Sequence, residues 1–369
     1  MKKILLVAQN GLNKGGIQTV IMTIVRNLNS LYTFDIIVFT PEKRFYEDEF
    51  MRYGGKIFRI NHNTSNNKFS KKIDFYIRQL RDRNAIKKII ENNGTYCAIH
   101  CNNYLESAIA LHVAKEKGIP IRITQAHVIC QSSKKWIRRL FDNHYKKRMK
   151  QNCTHMIGCS EAACQSMFGA STPYKVISNP YDEVKFDFFR YEELVFKAPV
   201  LIQVGNFSEL KNQFFSLAVF NEVVKEYPDA HFNYIGFDVD EYKRKLEKAI
   251  HECNLNNNVT IYPSDADTPK LLSESCYLML PSKTEAFGIV LIEAQAMGLT
   301  CFASDVVPRL SNAGGCRYLS IKDSPCVWAQ AIIDDFKITK GKHTKYDCSR
   351  YVSSHIAEQY RKIYNERII

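Results

Sequence analysis

Apolar residues fall along this chain in short continuous blocks, and between the blocks the pattern changes to a helical period. The first block, "KKILLVA" at residues 2–8, is too short for a core helix and reads as a buried strand. A glycine-bearing loop follows, and then Ile17, Val20, Ile21, Ile24, Val25 and Leu28 fall on one face, which predicts a helix. Strand, loop and helix make the first unit of an open α/β sheet. The blocks "FDIIVF", "CAIHC", "IRIT", "HMIGCS" and "YKVIS" come next, several of them separated by helical segments. That alternation predicts parallel strands with crossover helices.

Across residues 178–199, "SNPYDEVKFDFFRYEELVFKAP", the pattern lapses into polar and aromatic residues bounded by Pro180 and Pro199, and a domain boundary is expected there. It then restarts with "PVLIQVG", a helix from about Lys211, "HFNYIG", "VTIYP", "YLMLPS" and "TCFAS". The fold class is therefore α/β, with two Rossmann-like doubly wound domains at 1–180 and 199–348 joined by a linker at 181–198. A C-terminal helix within 349–369 carries too few apolar residues for a core element and is expected to pack across the junction. Ligands of such folds bind beyond the carboxyl ends of the strands. If the two domains face one another, the site is an interdomain cleft.

Composition narrows the classes. With 369 residues, 45% hydrophobic and 24% charged, the chain has the make-up of a folded protein with room for two cores. Its 12 cysteines lack the repeated two-residue gaps of a zinc site and read as reduced thiols of a cytosolic protein. No apolar stretch is long enough for a membrane span. Charge is uneven: residues 1–180 hold 29 Lys and Arg against 12 Asp and Glu, whereas the remainder hold 22 against 26. The basic half suggests an anionic partner. Its densest part is "SSKKWIRRLFDNHYKKRMK", 132–150. There Trp136, Ile137, Leu140, Phe141 and His144 recur at helical spacing among Lys134, Lys135, Arg138, Arg139, Lys146, Lys147 and Arg148, a pattern suited to lying on anionic lipid. A solvated surface helix is the plainer alternative.

The chemistry concentrates in "PSKTEAFGIVLIEAQAMG", 281–298. Glu285 lies in the loop after a strand, and the following helix is expected to start near Phe287 and stop at Gly298. On a helical wheel Glu293 falls about 40° from Ile289, on the apolar side. A carboxylate there calls for partners, and ligand hydroxyls would serve. The backbone N–H groups of Phe287, Gly288 and Ile289 form a natural anion site, with Gly288 allowing close approach. Phosphate at the helix start and hydroxyls on two carboxylates together describe a nucleotide sugar.

At these residues the chain resembles the retaining glycosyltransferases of family 4, with their Glu-x7-Glu signature and GT-B fold. "NKGGIQTVIMTIVRNL" resembles the family's opening loop and helix, "VGNFSELKNQ" its diphosphate-binding loop, and "HMIGCSEAACQSMFG" with "YKVISNP" the end of its first domain. The arrangement is closest to enzymes of capsule, exopolysaccharide or O-antigen assembly. The resemblance implies that Glu285 takes the hydroxyls of the transferred sugar, Glu293 the nucleotide ribose, and Lys211, beside Gly205 and Asn206, the diphosphate. It gives Gly15 and Gly16 the approach of the first loop to the phosphates and His127 a place near the reacting sugar. It further implies retention of configuration, a nucleotide-sugar donor with a UDP-sugar as the expected one, and no separate cofactor or metal. The implied acceptor is a polyprenyl-diphosphate-linked saccharide or another glycan. The implied location is the cytoplasm, peripheral on the inner face of the cell membrane.

Three positions depart from that pattern. Asn206 stands where the family usually has arginine, leaving Lys211, the helix start and Lys283 to oppose the charge of the leaving group. Gln125 replaces a frequent histidine, and Asn179-Pro180 replaces Asn-Gly; both read as specificity or hinge changes. The acidic triplets at Asp238–Asp240 and Asp265–Asp267 read as surface turns rather than metal ligands. Paired carboxylates also serve glycoside hydrolases, but one beside a phosphate site suits sugar binding better. The remaining alternatives are a catalytically weakened relative, or a protein that binds anionic lipid or nucleic acid. For nucleic acid the basic run lacks an interleaved stacking platform.

Overall fold

The computed structural model describes residues 1–61, 70–102, 105–130, 136–191, 194–238 and 241–366. The chain divides into two compact units, Met1–Pro180 together with Ser353–Ile369, and Tyr181–Val352.

In the first unit seven strands form one sheet: β1 (Lys2–Ala8), β2 (Tyr32–Val38), β3 (Ile57–Arg59), β4 (Tyr96–Cys101), β5 (Ile121–Ala126), β6 (His155–Gly158) and β7 (Lys175–Val176). Their spatial order is β3-β2-β1-β4-β5-β6-β7, and every pairing is parallel. Helices α1 (Gly16–Leu28), α2 (Glu47–Arg52), α3 (Ser70–Asn92), α4 (Leu105–Glu116), α5 (Trp136–Asn152) and α6 (Glu161–Phe168) connect them. Central β1 buries Ile4 to Val7 without interruption, as a strand covered on both faces must. Helix α1 buries Val20, Ile21, Ile24, Val25 and Leu28.

The second unit holds β8 (Val200–Val204), β9 (His231–Ile235), β10 (Val259–Tyr262), β11 (Tyr277–Leu280), β12 (Thr300–Ser304) and β13 (Cys316–Leu319), in the order β10-β9-β8-β11-β12-β13. Helices α7 (Gln213–Glu226), α8 (Tyr242–Glu252), α9 (Thr268–Ser273), α10 (Ile289–Ala296) and α11 (Pro325–Thr339) belong to it. This is the doubly wound order, and the chain reverses its direction of travel at β8, between neighbours β9 and β11.

Residues 181–198, expected as a linker, group with the second unit. Tyr181 N–H donates to the Tyr351 carbonyl over 3.1 Å, and Phe188 lies so close to Gly298 that a Cβ there would sit 2.5 Å from its ring. The other break falls at Val352, so the 3₁₀ turn Ser349–Tyr351 stays with the second unit while α12 (Ser353–Tyr364) joins the first.

Helix α12 corrects the expectation of a non-core element. Its Ile356, Ala357, Tyr360, Ile363 and Tyr364 are buried in the same cluster as the apolar faces of β1, β2 and α1. The sequence understates this face because two of its largest members are tyrosines, whose bodies bury as much as a phenylalanine once the phenol has a partner. Both have one: Tyr364 Oη meets His100 Nδ1 at 2.7 Å, and Gln125 Nε2 donates to Tyr360 Oη over 2.6 Å.

Candidate active site

At the switch point of the second sheet the chain crosses from β8 through Gly205 (φ 152°), and a Cβ at that glycine would press on the Lys211 side chain at 3.4 Å. The helix expected from about Lys211 begins two residues later, because Asn212 adopts a left-handed φ of 60° and turns the chain. Asn212 Nδ2 donates to the Pro281 carbonyl at 3.1 Å and Lys283 N–H to the Leu210 carbonyl at 2.8 Å, which ties the loop after β8 to the loop after β11. Across this tie Lys211 Nζ meets Glu285 Oε2 at 2.5 Å, both groups partly shielded from solvent. Lys283 pairs instead with exposed Glu209 at 3.1 Å. Asn206 is exposed, with its carbonyl accepting from Gln213 Nε2.

Helix α10 starts at Ile289 rather than near Phe287, because Gly288 at φ 82° is its N-cap, a conformation costly for any residue with a Cβ. No side chain caps its first turn; there Leu291 N–H donates to the Gly288 carbonyl at 3.0 Å, and the N–H groups ahead of it are the ones a ligand could take. One and a half turns on lies Glu293, half-buried, with Lys185 and Asp182 as its nearest charged influences. Burial pushes its carboxyl up to about 7; Lys185 lowers it and Asp182 raises it. The cation absent from its own helix is thus supplied by the segment after Pro180.

One member of this region went unremarked in the sequence. Gly236, just after β9, lies so near the Gly205 carbonyl that a Cβ would fall 2.1 Å from its oxygen. The signal was the glycine closing "HFNYIG", at the strand end beside the loop. A cavity of 460 Å³ in the same unit is lined by Tyr181, Phe186, Phe188 and Tyr346 among others, and contains none of the anticipated site residues.

The remaining candidates belong to the first unit. Gly15 is the N-cap of α1 in extended conformation and Gly16 its first residue; no side chain caps the turn and no acid lies in it. A Cβ at Gly15 would approach Gln18 Oε1 to 2.8 Å, whose Nε2 is spent on the Gly11 carbonyl. His127 follows β5, with Nε2 2.9 Å from Asn102 Oδ1 and its Nδ1 buried and unpartnered among the described residues. Burial, and then neighbouring His100, depress it to about 3. Gln125 is fully buried between His100 Nε2, at 2.8 Å, and Tyr360, so its role is to tie β5 and β4 to α12. Asn179-Pro180 sits at the break between the units.

Of the basic positions, Lys134 and Lys135 and the side chain of Arg138 lie outside the described residues. Arg139 and Lys147 are exposed and Arg148 is half-buried. Lys146 departs from the expected lipid-facing set, because its Nζ donates to the Ser166 carbonyl at 2.7 Å, at the C-terminal end of α6 where the helix dipole favours a cation. The buried side of α5 is marked by Tyr145 and Met149, and Phe141 and His144 face outward. Of the acidic triplets, Asp267 caps α9 through Lys270 N–H at 3.2 Å and Asp238 accepts from Lys243 N–H at 2.9 Å; Asp240 lies outside the described residues. Among the described residues no helix is long and apolar enough to cross a membrane.

Two Rossmann-like units of parallel sheet, with a glycine-opened loop and a lysine–glutamate pair at the switch point of the second, define a GT-B protein. The chain belongs to the glycosyltransferases: residues 14–185 match the model of Glycosyltransferase Family 4, and residues 185–330 that of glycosyl transferases group 1. EpsF of Bacillus subtilis (strain 168), assigned as a glycosyltransferase, is 24% identical over 88% of this chain and 85% of its own length. The capsular polysaccharide biosynthesis glycosyltransferase CapH of Staphylococcus aureus is 23% identical over 94% of each. Among solved structures, HepE of Anabaena in complex with UDP superposes with a TM-score of 0.77, covering 98% of this chain and 99% of HepE at 15% identity, a likeness of fold.

Proposed function

We propose that the protein is a retaining, metal-independent glycosyltransferase that moves a sugar from a UDP-sugar to a lipid-linked saccharide or other glycan during assembly of a cell-surface polysaccharide. The observation that carries this reading is the Lys211–Glu285 pair, set between the glycine turn at Gly205 and the uncapped start of α10. Breaking a sugar–phosphate bond builds negative charge on the departing diphosphate, and preorganised positive potential is the main catalytic requirement. Lys211 supplies a full charge there and the first N–H groups of α10 a partial one. Glu285 takes the sugar hydroxyls and Glu293 the ribose diol, with His127 serving the reacting sugar. Asp267 is engaged as a helix cap and Asp238 in its own turn, which supports a structural reading of one acid in each triplet.

The donor assignment is supported by the UDP bound to HepE, and the acceptor class by CapH and by the GDP-mannose:cellobiosyl-diphosphopolyprenol alpha-mannosyltransferase of Xanthomonas oryzae pv. oryzae (strain PXO99A), which is 26% identical over 46% of this chain. A peripheral position on the cytoplasmic face of the membrane agrees with the outward Arg139 and Lys147 of α5. The test is a panel of UDP- and GDP-sugars with purified protein, followed by release of nucleoside diphosphate with and without chelator and by NMR of the product's anomeric proton. Release from a UDP-sugar, insensitive to chelator, with the donor's configuration kept, is expected; inversion or a metal requirement would overturn the mechanism. Asn206, exposed where an arginine is usual, favours a second reading, a relative of weakened activity, which would show as donor binding without turnover.

A further inference from the structure

The surroundings of His127 fix more than its position. Asn102 follows β4 directly, and its backbone N–H donates to the Val7 carbonyl at 3.0 Å. Its side-chain Nδ2 points to two backbone carbonyls, Val7 at 3.4 Å and His100 at 3.5 Å, and an amide oxygen in that place would face two acceptors. The orientation of the amide is thereby set: Oδ1 faces His127 Nε2 at 2.9 Å. An oxygen that can only accept requires a proton on Nε2. The second ring nitrogen, Nδ1, has no partner among the described residues, although the side chain is only 8% exposed. A second proton on the ring would leave a buried N–H and a buried charge without a counter-group, which is costly.

Resting on the transferase reading above and deepening it, we propose that Asn102 is a positioning residue that holds His127 as its Nε2–H tautomer, so that Nδ1 offers a lone pair to a donor group of the bound sugar. A specificity follows. The group that completes the site must carry a hydrogen to give, a hydroxyl or an amide N–H, and a carboxylate or phosphate in that place would meet a lone pair. His127 is then an acceptor that orients substrate, and it neither supplies nor removes a proton in the reaction.

The test begins with the full chain carrying ¹⁵N-labelled histidine, read by long-range ¹H–¹⁵N correlation at neutral pH, a measurement independent of any activity. The expected spectrum gives His127 an unprotonated Nδ1 and a protonated Nε2. In Asn102→Ala the two nitrogens should move toward the averaged values of exchanging tautomers, and turnover of the donor selected in the panel should fall roughly ten-fold or more with its KM little changed, as for lost orientation. A protonated Nδ1 or a doubly protonated ring in the wild-type chain would overturn the proposal, as would an Asn102→Ala chain with unaltered spectrum and turnover. Should Asn102→Ala fail to fold, the wild-type spectrum alone decides the tautomer. A chain that turns over no nucleotide sugar would sink the transferase reading, and the spectrum would still judge the ring.

Discussion

Glu293 sets two demands against each other, and the conflict can be measured. In the folded chain its carboxyl is pushed up to about 7 from 4.5, chiefly by burial. A displacement of that size corresponds to roughly 3 kcal/mol of penalty on the ionised form. Partial contact with solvent screens the group, so about 1–2 kcal/mol is expected. The sign follows from proton uptake: the folded chain protonates Glu293 as pH falls through about 7, the unfolded chain only near 4.5. The penalty is therefore complete above pH 7, shrinks between 7 and 4.5, and is absent below. Glu293→Gln keeps the shape without the charge. It should raise the thermal midpoint of the second unit by several degrees at pH 8 and leave it nearly unchanged at pH 5. The same substitution removes the charged acceptor proposed for the ribose diol, and loss of a hydrogen bond to a charged group corresponds to roughly ten-fold or more in UDP affinity. Scanning calorimetry at both pH values, with UDP titrations at pH 8, makes the comparison. An equal shift at pH 5 and pH 8 would refute the buried-charge argument, and a gain in stability with unchanged UDP affinity would refute the assignment to the ribose.

Lys211→Ala should cost roughly a hundred-fold or more in turnover, as loss of a preorganised charge does, with little effect on the thermal midpoint because its pair with Glu285 is partly solvated; donor-release kinetics and melting check both. Asn206→Arg should tighten UDP binding in calorimetry by restoring a bidentate cation, and unchanged or weaker affinity would count against that role. The first unit should respond to acid in the opposite sense to Glu293. His100, depressed by burial to about 4, and His127, at about 3, stay neutral when folded but charge near 6.5 when unfolded. Stability of that unit should therefore fall as pH drops from 6.5 toward 4, visible as earlier hydrogen exchange in β4 and β5. Arg139→Glu with Lys147→Glu should abolish recovery of the protein on anionic vesicles at low salt and leave recovery on neutral vesicles unchanged; equal recovery of wild type on both would refute membrane recruitment.

Most strands were legible because both sheets are parallel, so a central strand is a continuous apolar block such as "KILLVA" or "YLML" that needs no register to recognise; the short, partly exposed edge strands β3 and β13 carry no such block and were not. Helix α1 was legible because Ile17, Val20, Ile21, Ile24, Val25 and Leu28 are aliphatic and evenly spaced. Helix α12 was not, because its buried side is built from Tyr360 and Tyr364, and whether a phenol can be buried depends on a partner elsewhere in the chain, here Gln125 and His100. Helix α5 was legible as a helix but its facing was not: Tyr145 and Met149 take the inside, and Lys146 is used at the end of α6, a contact no local pattern announces. Helix starts slipped by two residues at α7 and α10, where Asn212 and Gly288 adopt left-handed backbone before the first turn. The positions of Glu285, Glu293 and Lys211 were legible as residue types in a spacing. Their electrostatics were not, because Lys185 reaches Glu293 from the segment after Pro180.

The contact between Lys211 and Glu285 unites these features physically. Each is a residue the proposed chemistry wants charged and aimed at a ligand, and each is the other's counter-ion at 2.5 Å. In the proposed function a diphosphate would compete with Glu285 for Lys211, and the released carboxylate would accept from sugar hydroxyls. Phosphate and sugar binding would then be coupled through one ion pair: a nucleoside diphosphate without its sugar would displace the glutamate and leave it unsatisfied, whereas the intact donor would satisfy both. Gly205 and Gly236 keep the loop low enough, and the ties from Asn212 and Lys283 hold it rigid enough, for that exchange to occur in place.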